Sequence, residues 1–172
     1  MKILLGALGA ALVVVLGVLG WMGALSSVEV AERDMGPYQF VYVHEASTDF
    51  EKIGRITESL GQRLEAAGFD QRKPAQEYFP AGRGMQNRIG FVVQRMVSAE
   101  VLGAETFYQD IPVRKYMVAE FPFRNPMSFA VGHLRVNPAF EAHLKKHSYA
   151  QTSAFVILDG DRIVYLSPIG AS

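Results

Sequence analysis

Residues 38–68 read YQFVYVHEASTDFEKIGRITESLGQRLEAAG, and the change of hydrophobic period inside this stretch decides the fold. Tyr38–His44 is aromatic and β-branched, the composition of a strand. Thr48 and Glu51 then have the spacing of a capping box, in which each side chain satisfies a free backbone N–H at a helix start. Phe50, Ile53, Ile56, Leu60 and Leu64 follow at helical spacing, one apolar stripe made to lie on a sheet. Gly68 ends the helix as a C-cap, where a left-handed backbone is needed.

Working outward toward the C-terminus, strands are expected near Gln76–Phe79 and over Arg88–Gln94, joined by the Pro/Gly loop Pro80–Gln86. Two more are expected over Glu105–Val113 and Lys115–Phe123. Asn125-Pro126 and Asn137-Pro138 then repeat one device, a capping asparagine before a proline whose missing N–H costs nothing in the first helical turn. The stretch Met127–His147 therefore reads as two short helices broken at Asn137. Ser153–Leu158 and Arg162–Ser167 flank Asp159-Gly160, the turn chemistry of a hairpin. A βαββ unit thus occurs twice. The fold class is α+β: duplicated βαββ units forming one antiparallel sheet with two helices on one face, and a groove between the helices.

Toward the N-terminus, Ser26–Pro37 reads as a polar connector. Before it, Ile3–Leu25 runs without a charge, long enough at ~1.5 Å per residue to cross the ~30 Å apolar core of a bilayer. A cleaved signal peptide has a shorter apolar region, so residues 1–27 are expected to be a retained transmembrane anchor and residues 28–172 a single domain. Trp21 sits where an interfacial indole belongs. Lys2 precedes the span, while Glu29, Glu32 and Asp34 follow it against Arg33. The positive-inside rule then puts the N-terminus in the cytoplasm and the domain outside it.

Seventeen basic residues balance seventeen acidic ones, so no global field attracts nucleic acid. The absence of cysteine removes disulfides, thiolate metal sites and a cysteine nucleophile.

Several segments carry a family resemblance: VEV (Val28–Val30), the strand ending in His44, RIGFVV (Arg88–Val93), AEFPF (Ala119–Phe123), RVNPAFEAHLKK (Arg135–Lys146) and IVYLSPI (Ile163–Ile169). With the doubled βαββ order, they make the chain resemble GyrI-like small-molecule-binding domains, whose fold is shared with SOUL-type proteins. The likeness is closest to the membrane-anchored, testis-expressed autophagy-receptor type, and it covers Val28 to Ile169. It implies the architecture above and a ligand groove between the helices. Many members place a glutamate in the first strand of the last hairpin to meet cationic ligands. Val156 stands there in this chain, so the resemblance implies a neutral or weakly polar ligand.

The expected lining is Tyr42, Tyr78, Phe91, Tyr116, Phe129 and Tyr165, with Glu120 on the face shared by Tyr116 and Val118. Glu77, next to Tyr78, is the other carboxylate that burial would make notable. His143 and His147 have chelating i,i+4 spacing, but the sequence offers them no third ligand, and their neighbours Lys145 and Lys146 mark a last helical turn where cations simply favour the dipole, so the pair does not read as a metal site. His44 and His133 could be axial haem ligands, yet no haem motif accompanies them. Asp159-Gly160-Asp161 lacks a calcium loop, PAGRG lacks the phosphate-loop spacing, and no serine has a nucleophile-elbow context. No cofactor, metal or catalytic residue is expected. The leading reading is a membrane-anchored binding module, with a ligand-free interaction adaptor second and a GyrI-like hydrolase third.

Overall fold

The computed structural model describes residues 27–45, 50–78, 87–97, 105–150 and 152–170, together with residues 13, 16–18, 20, 21 and 23. The elements run β1 (Ala31–Met35), β2 (Tyr38–Glu45), α1 (Phe50–Ala66), β3 (Arg72–Tyr78), β4 (Asn87–Val93), β5 (Phe107–Ile111), β6 (Arg114–Pro122), α2 (Met127–His147), β7 (Ala154–Asp159) and β8 (Arg162–Pro168). All strands join one antiparallel sheet in the order β1-β6-β8-β7-β3-β4-β2-β5.

That order holds an internal twofold. The units β2-α1-β3-β4 and β6-α2-β7-β8 meet at the β3–β7 pair, with Gln76 opposite Val156. Each outermost strand is exchanged: β1 precedes the first unit but pairs with β6, and β5 precedes the second but pairs with β2. Residues 36–37 therefore join strands that stand six spacings apart in the sheet. In a flat sheet this gap is about 29 Å, while so short a link reaches roughly 10 Å. The sheet must curl until its edges approach. Gly36 marks the meeting point, with a φ of 103° that favours glycine. A Cβ there would stand 2.9 Å from the carbonyl oxygen of Pro112, which belongs to the matching link between β5 and β6.

Both faces of the curled sheet are apolar. Inside the curl, Phe40, Tyr42, Val92, Tyr116, Phe155 and Leu166 form one core. On the outer face α1 seats Leu60, Gly61 and Leu64 over Val41, Phe91 and Val93. On the same face α2 buries every fourth residue, Ser128, Gly132, Val136, Phe140 and Leu144. The two helices on one face are as expected.

Three expectations change. Ser26–Pro37 contains strand β1, whose AERDM sequence has no apolar alternation and is strand only because β6 pairs with it. The helix does not break at Asn137. Pro138 is exposed on the outer side of a continuous α2, and Leu134, whose carbonyl the proline leaves without its helical donor, is 76% exposed, so water can serve it. Strand β3 starts at Arg72 rather than near Gln76, and Pro74 fits because β7 flanks β3 only from Ala75 onward. Thr48 and the loop Pro80–Gln86 lie outside the described residues, as does most of Ile3–Leu25. Among the described residues no helix is long and apolar enough to cross a membrane.

Candidate functional site: the interhelical groove

Helix α1 packs on β4 and the near side of β3, and α2 packs on β6 and β8, so β7 and the adjoining part of β3 form the floor between them. Alternate residues face the helices, giving Pro74, Gln76 and Tyr78 from β3 with Ala154, Val156 and Leu158 from β7. None carries a charge. Ala154 and Val156 are buried, whereas Pro74, Gln76, Tyr78 and Leu158 are only half-buried despite their central place in the sheet.

The α2 wall of this groove carries its polar groups. Tyr78 Oη donates to Asn137 Oδ1 at 2.9 Å. The His133 ring stands edge-on between Tyr78 and Tyr165, with centroids 4.9 Å and 5.4 Å away. Tyr165 Oη donates to the Phe129 carbonyl at 3.4 Å. Gly132 makes this possible, because a Cβ there would collide with the Tyr165 hydroxyl. Asn137 and His133 project together because they are four apart on one helix. The break expected at Asn137 would have separated them.

Burial sets the electrostatics. It pushes the Tyr78 hydroxyl up to about 12 and raises Tyr165, to which the neighbouring Tyr78 adds. It lowers the pKa of His133, which is therefore neutral at pH 7. The groove thus offers neutral hydrogen-bonding groups and aromatic faces over an uncharged floor. This set suits an aromatic compound of low charge.

The expected lining residues divide between the two faces. Tyr78 and Tyr165 flank the His133 ring beside α2, Tyr165 fully buried, while Phe129 meets Tyr165 only through its backbone carbonyl and sets its ring against Phe123. Phe91 lies under α1, with its ring against Gly61. Tyr42 and Tyr116 lie inside the curl. Glu120 does share a face with Tyr116 and Val118, but at its rim, where Arg33 and Arg162 each reach it at 2.8 Å. The Arg33 hydrogen bond, with Arg162 beside it, holds the Glu120 carboxyl below its usual range against a smaller upward pull from burial. Glu77 is buried inside the curl, bonded to Arg88 at 2.8 Å.

His133 and Asn137 were missed as groove residues, although their i,i+4 spacing was visible. Inside the curl, the cavity beside Met35, Lys73 and Ile157 holds about 70 Å³, well below the ~300 Å³ of small-molecule pockets. A larger hollow of about 720 Å³ between α1 and the β2–β5 edge is open and lined by charged groups including Lys52, Arg55 and Glu105.

No family model matches the sequence, and no curated protein matches it either. Solved structures do. The C-terminal domain of EcmrR aligns with a TM-score of 0.61 at 12% identity, over 84% of this chain and 99% of that one. Against EcmrR in its complex with DNA, the same alignment spans 58% of that chain. SAV2435, bound to tetraphenylphosphonium, aligns at 0.53 with 14% identity, over 83% of this chain and 94% of its own. A hydrolase from Listeria innocua aligns at 0.54 with 12% identity, over 84% and 93%. At such identities the likeness is one of fold alone: the curled, duplicated α+β architecture of this chain is shared with these structures.

Proposed function

We propose that this chain is a membrane-anchored binding domain that holds a small, neutral or weakly polar aromatic compound between α1 and α2 without converting it. The observation that carries this reading is the neutral ladder of Tyr78, His133, Asn137 and Tyr165 beside an uncharged floor. The tetraphenylphosphonium held by SAV2435 supports an aromatic ligand by analogy of fold. Val156, where the resemblance leads one to expect a glutamate, argues against a strongly held cation, because an isopropyl group offers no counter-charge.

The test is a thermal-shift panel on the full chain in mild detergent, pairing tetraphenylphosphonium with neutral triphenylphosphine oxide and other aromatic compounds. A neutral compound that binds the folded state raises the melting temperature by mass action, and Tyr78→Ala removes that shift. A larger rise with the cation overturns the neutral reading and returns attention to Glu77 or Glu120. Turnover of a bound ester or amide supports the hydrolase reading instead. If nothing binds, the adaptor reading takes over. It has one observation in its favour, the half-exposed Phe107 and Tyr108 on edge strand β5.

Anchoring by Ile3–Leu25, with the domain on the far side of the membrane from the N-terminus, completes the proposal. Protease added to cells whose outer envelope is permeable then digests the domain. Protection until the inner membrane is lysed reverses the orientation.

A further inference from the structure

The fold supplies what His143 and His147 lack in the sequence. Strand β1 lies beside β6, and this brings Glu32 to the last turns of α2. His143 Nε2 and Glu32 Oε1 are 3.1 Å apart, and the His143 and His147 rings stack with centroids 4.5 Å apart. Tyr149, just past the helix, donates its hydroxyl to the same Glu32 oxygen at 3.2 Å. One donor atom from each of Glu32, His143 and His147 lies within 4.8 Å of the others.

From this juxtaposition we propose that Glu32, His143 and His147 form a binding site for a divalent transition metal of the Zn²⁺ type. Tetrahedral bonds of about 2.1 Å place ligand atoms roughly 3.4 Å apart. The His143–Glu32 separation is already near that value, and His147, exposed at the end of the helix, must swing out of its stack on His143 so that its in-plane lone pair points at the ion. Two imidazoles and one carboxylate select zinc and its neighbours over magnesium or calcium, which prefer oxygen ligands throughout. Three protein ligands leave a fourth position for water. The negative end of the α2 dipole favours a cation there, and Tyr149 orients the carboxylate from outside the ligand set. Lys145 and Lys146 are both exposed, free to turn their charges toward solvent. A bound ion would fasten β1, an edge strand with a single neighbour, to the helix that carries the groove wall.

The experiment is calorimetric titration of the full chain, purified in mild detergent without a polyhistidine tag, with ZnCl₂ and with MgCl₂. The expected result is one saturable Zn²⁺ site and none for Mg²⁺. His147→Ala removes an exposed side chain without threatening the fold, and weakens Zn²⁺ binding by more than about tenfold. Tyr149→Phe, which touches only the orienting bond, weakens it about tenfold. Co²⁺ soaked into the wild-type chain gives the visible absorption of a tetrahedral nitrogen–oxygen site. Absence of saturable Zn²⁺ binding overturns the proposal. So does binding that His147→Ala and Glu32→Gln leave unchanged while His44→Ala abolishes it.

Discussion

The two βαββ halves share a frame and differ in how they are filled, and the twofold about Gln76 and Val156 lets them be compared position by position. Continuing the register outward, Glu77 matches Ile157, Arg88 matches Val164, and Ile89 matches Tyr165. Inside the curl, the first half places an ion pair, buried Glu77 with half-buried Arg88, where the second places two aliphatic side chains, buried Ile157 with half-buried Val164. Arg88 is further held by Gln109 at 2.8 Å and lies over the Tyr42 ring. On the helix face the pattern inverts. The first half puts only apolar side chains, Val41, Phe91 and Val93, under α1, whereas the second puts the hydroxyl-bearing Tyr165 under Gly132 and His133. The same backbone therefore tolerates a polar cluster in either layer. The layer that faces the groove in the second half is the one suited to meet a ligand.

Exchanging the chemistry at one matched pair is the sharpest way to break this comparison. Glu77→Ile alone leaves Arg88, whose side chain is 25% exposed, without its carboxylate, and unfolding in urea should show a loss of about 2–3 kcal/mol, below the ~3–5 kcal/mol of a fully buried pair. Adding Arg88→Val restores the pattern of the second half, and most of the loss should return. A double variant no better than the single one would show that the halves are not interchangeable at this position.

Glycines give a smaller contrast. Gly132→Ala drives a methyl group into the Tyr165 hydroxyl, and overpacking of this kind costs about 1–3 kcal/mol. In α1, Gly54 is exposed with open space around it, so Gly54→Ala should stabilise by about 1 kcal/mol through helix propensity alone. Chemical denaturation of the two variants should therefore give opposite signs.

The smallest effect is protonic. Burial lowers the pKa of His133, so between its folded value and the ordinary histidine value of 6.5 the unfolded chain binds more protons. The stability from keeping it neutral is present above pH 6.5 and is lost as the pH falls through the folded value. His133→Asn should flatten the melting temperature between pH 7 and pH 5. An unchanged slope would mean that His133 is solvated and the ladder open to water.

Legibility in the sequence followed how local each cause was. Helix α1 was readable because Leu60 and Leu64 sit on one stripe, and the last hairpin because Asp159-Gly160 dictates its turn. Strand β1 was not, since Ala31, Arg33 and Met35 find their partners on β6, far along the chain. The Pro138 signal was real but misleading. Proline opens helices, yet here solvent on the outer side of α2 tolerates the lost bond. Tyr78 and Tyr165 lie on the helix face of the sheet, as the doubled pattern led one to expect, while Tyr42 and Tyr116 required the register to place them inside the curl. Glu32 was beyond reach, because nothing near His143 in sequence points to a residue 111 positions earlier.

The exchange of β1 and β5 bears on the order in which the chain can fold. During synthesis the first half emerges with β1 already made, but β1 finds its ladder only on β6, whose Glu120 lies 87 positions beyond its ion-pair partner Arg33. Until then β1 has no sheet to join and β2 keeps an unpaired edge, since β5 also comes later. Neither half can mature first and wait. Closure depends on long-range pairing, which slows folding and leaves strand edges exposed to other chains meanwhile. Once both exchanges are made, loosening either half strips a strand from the other, so the two are expected to unfold as one cooperative unit.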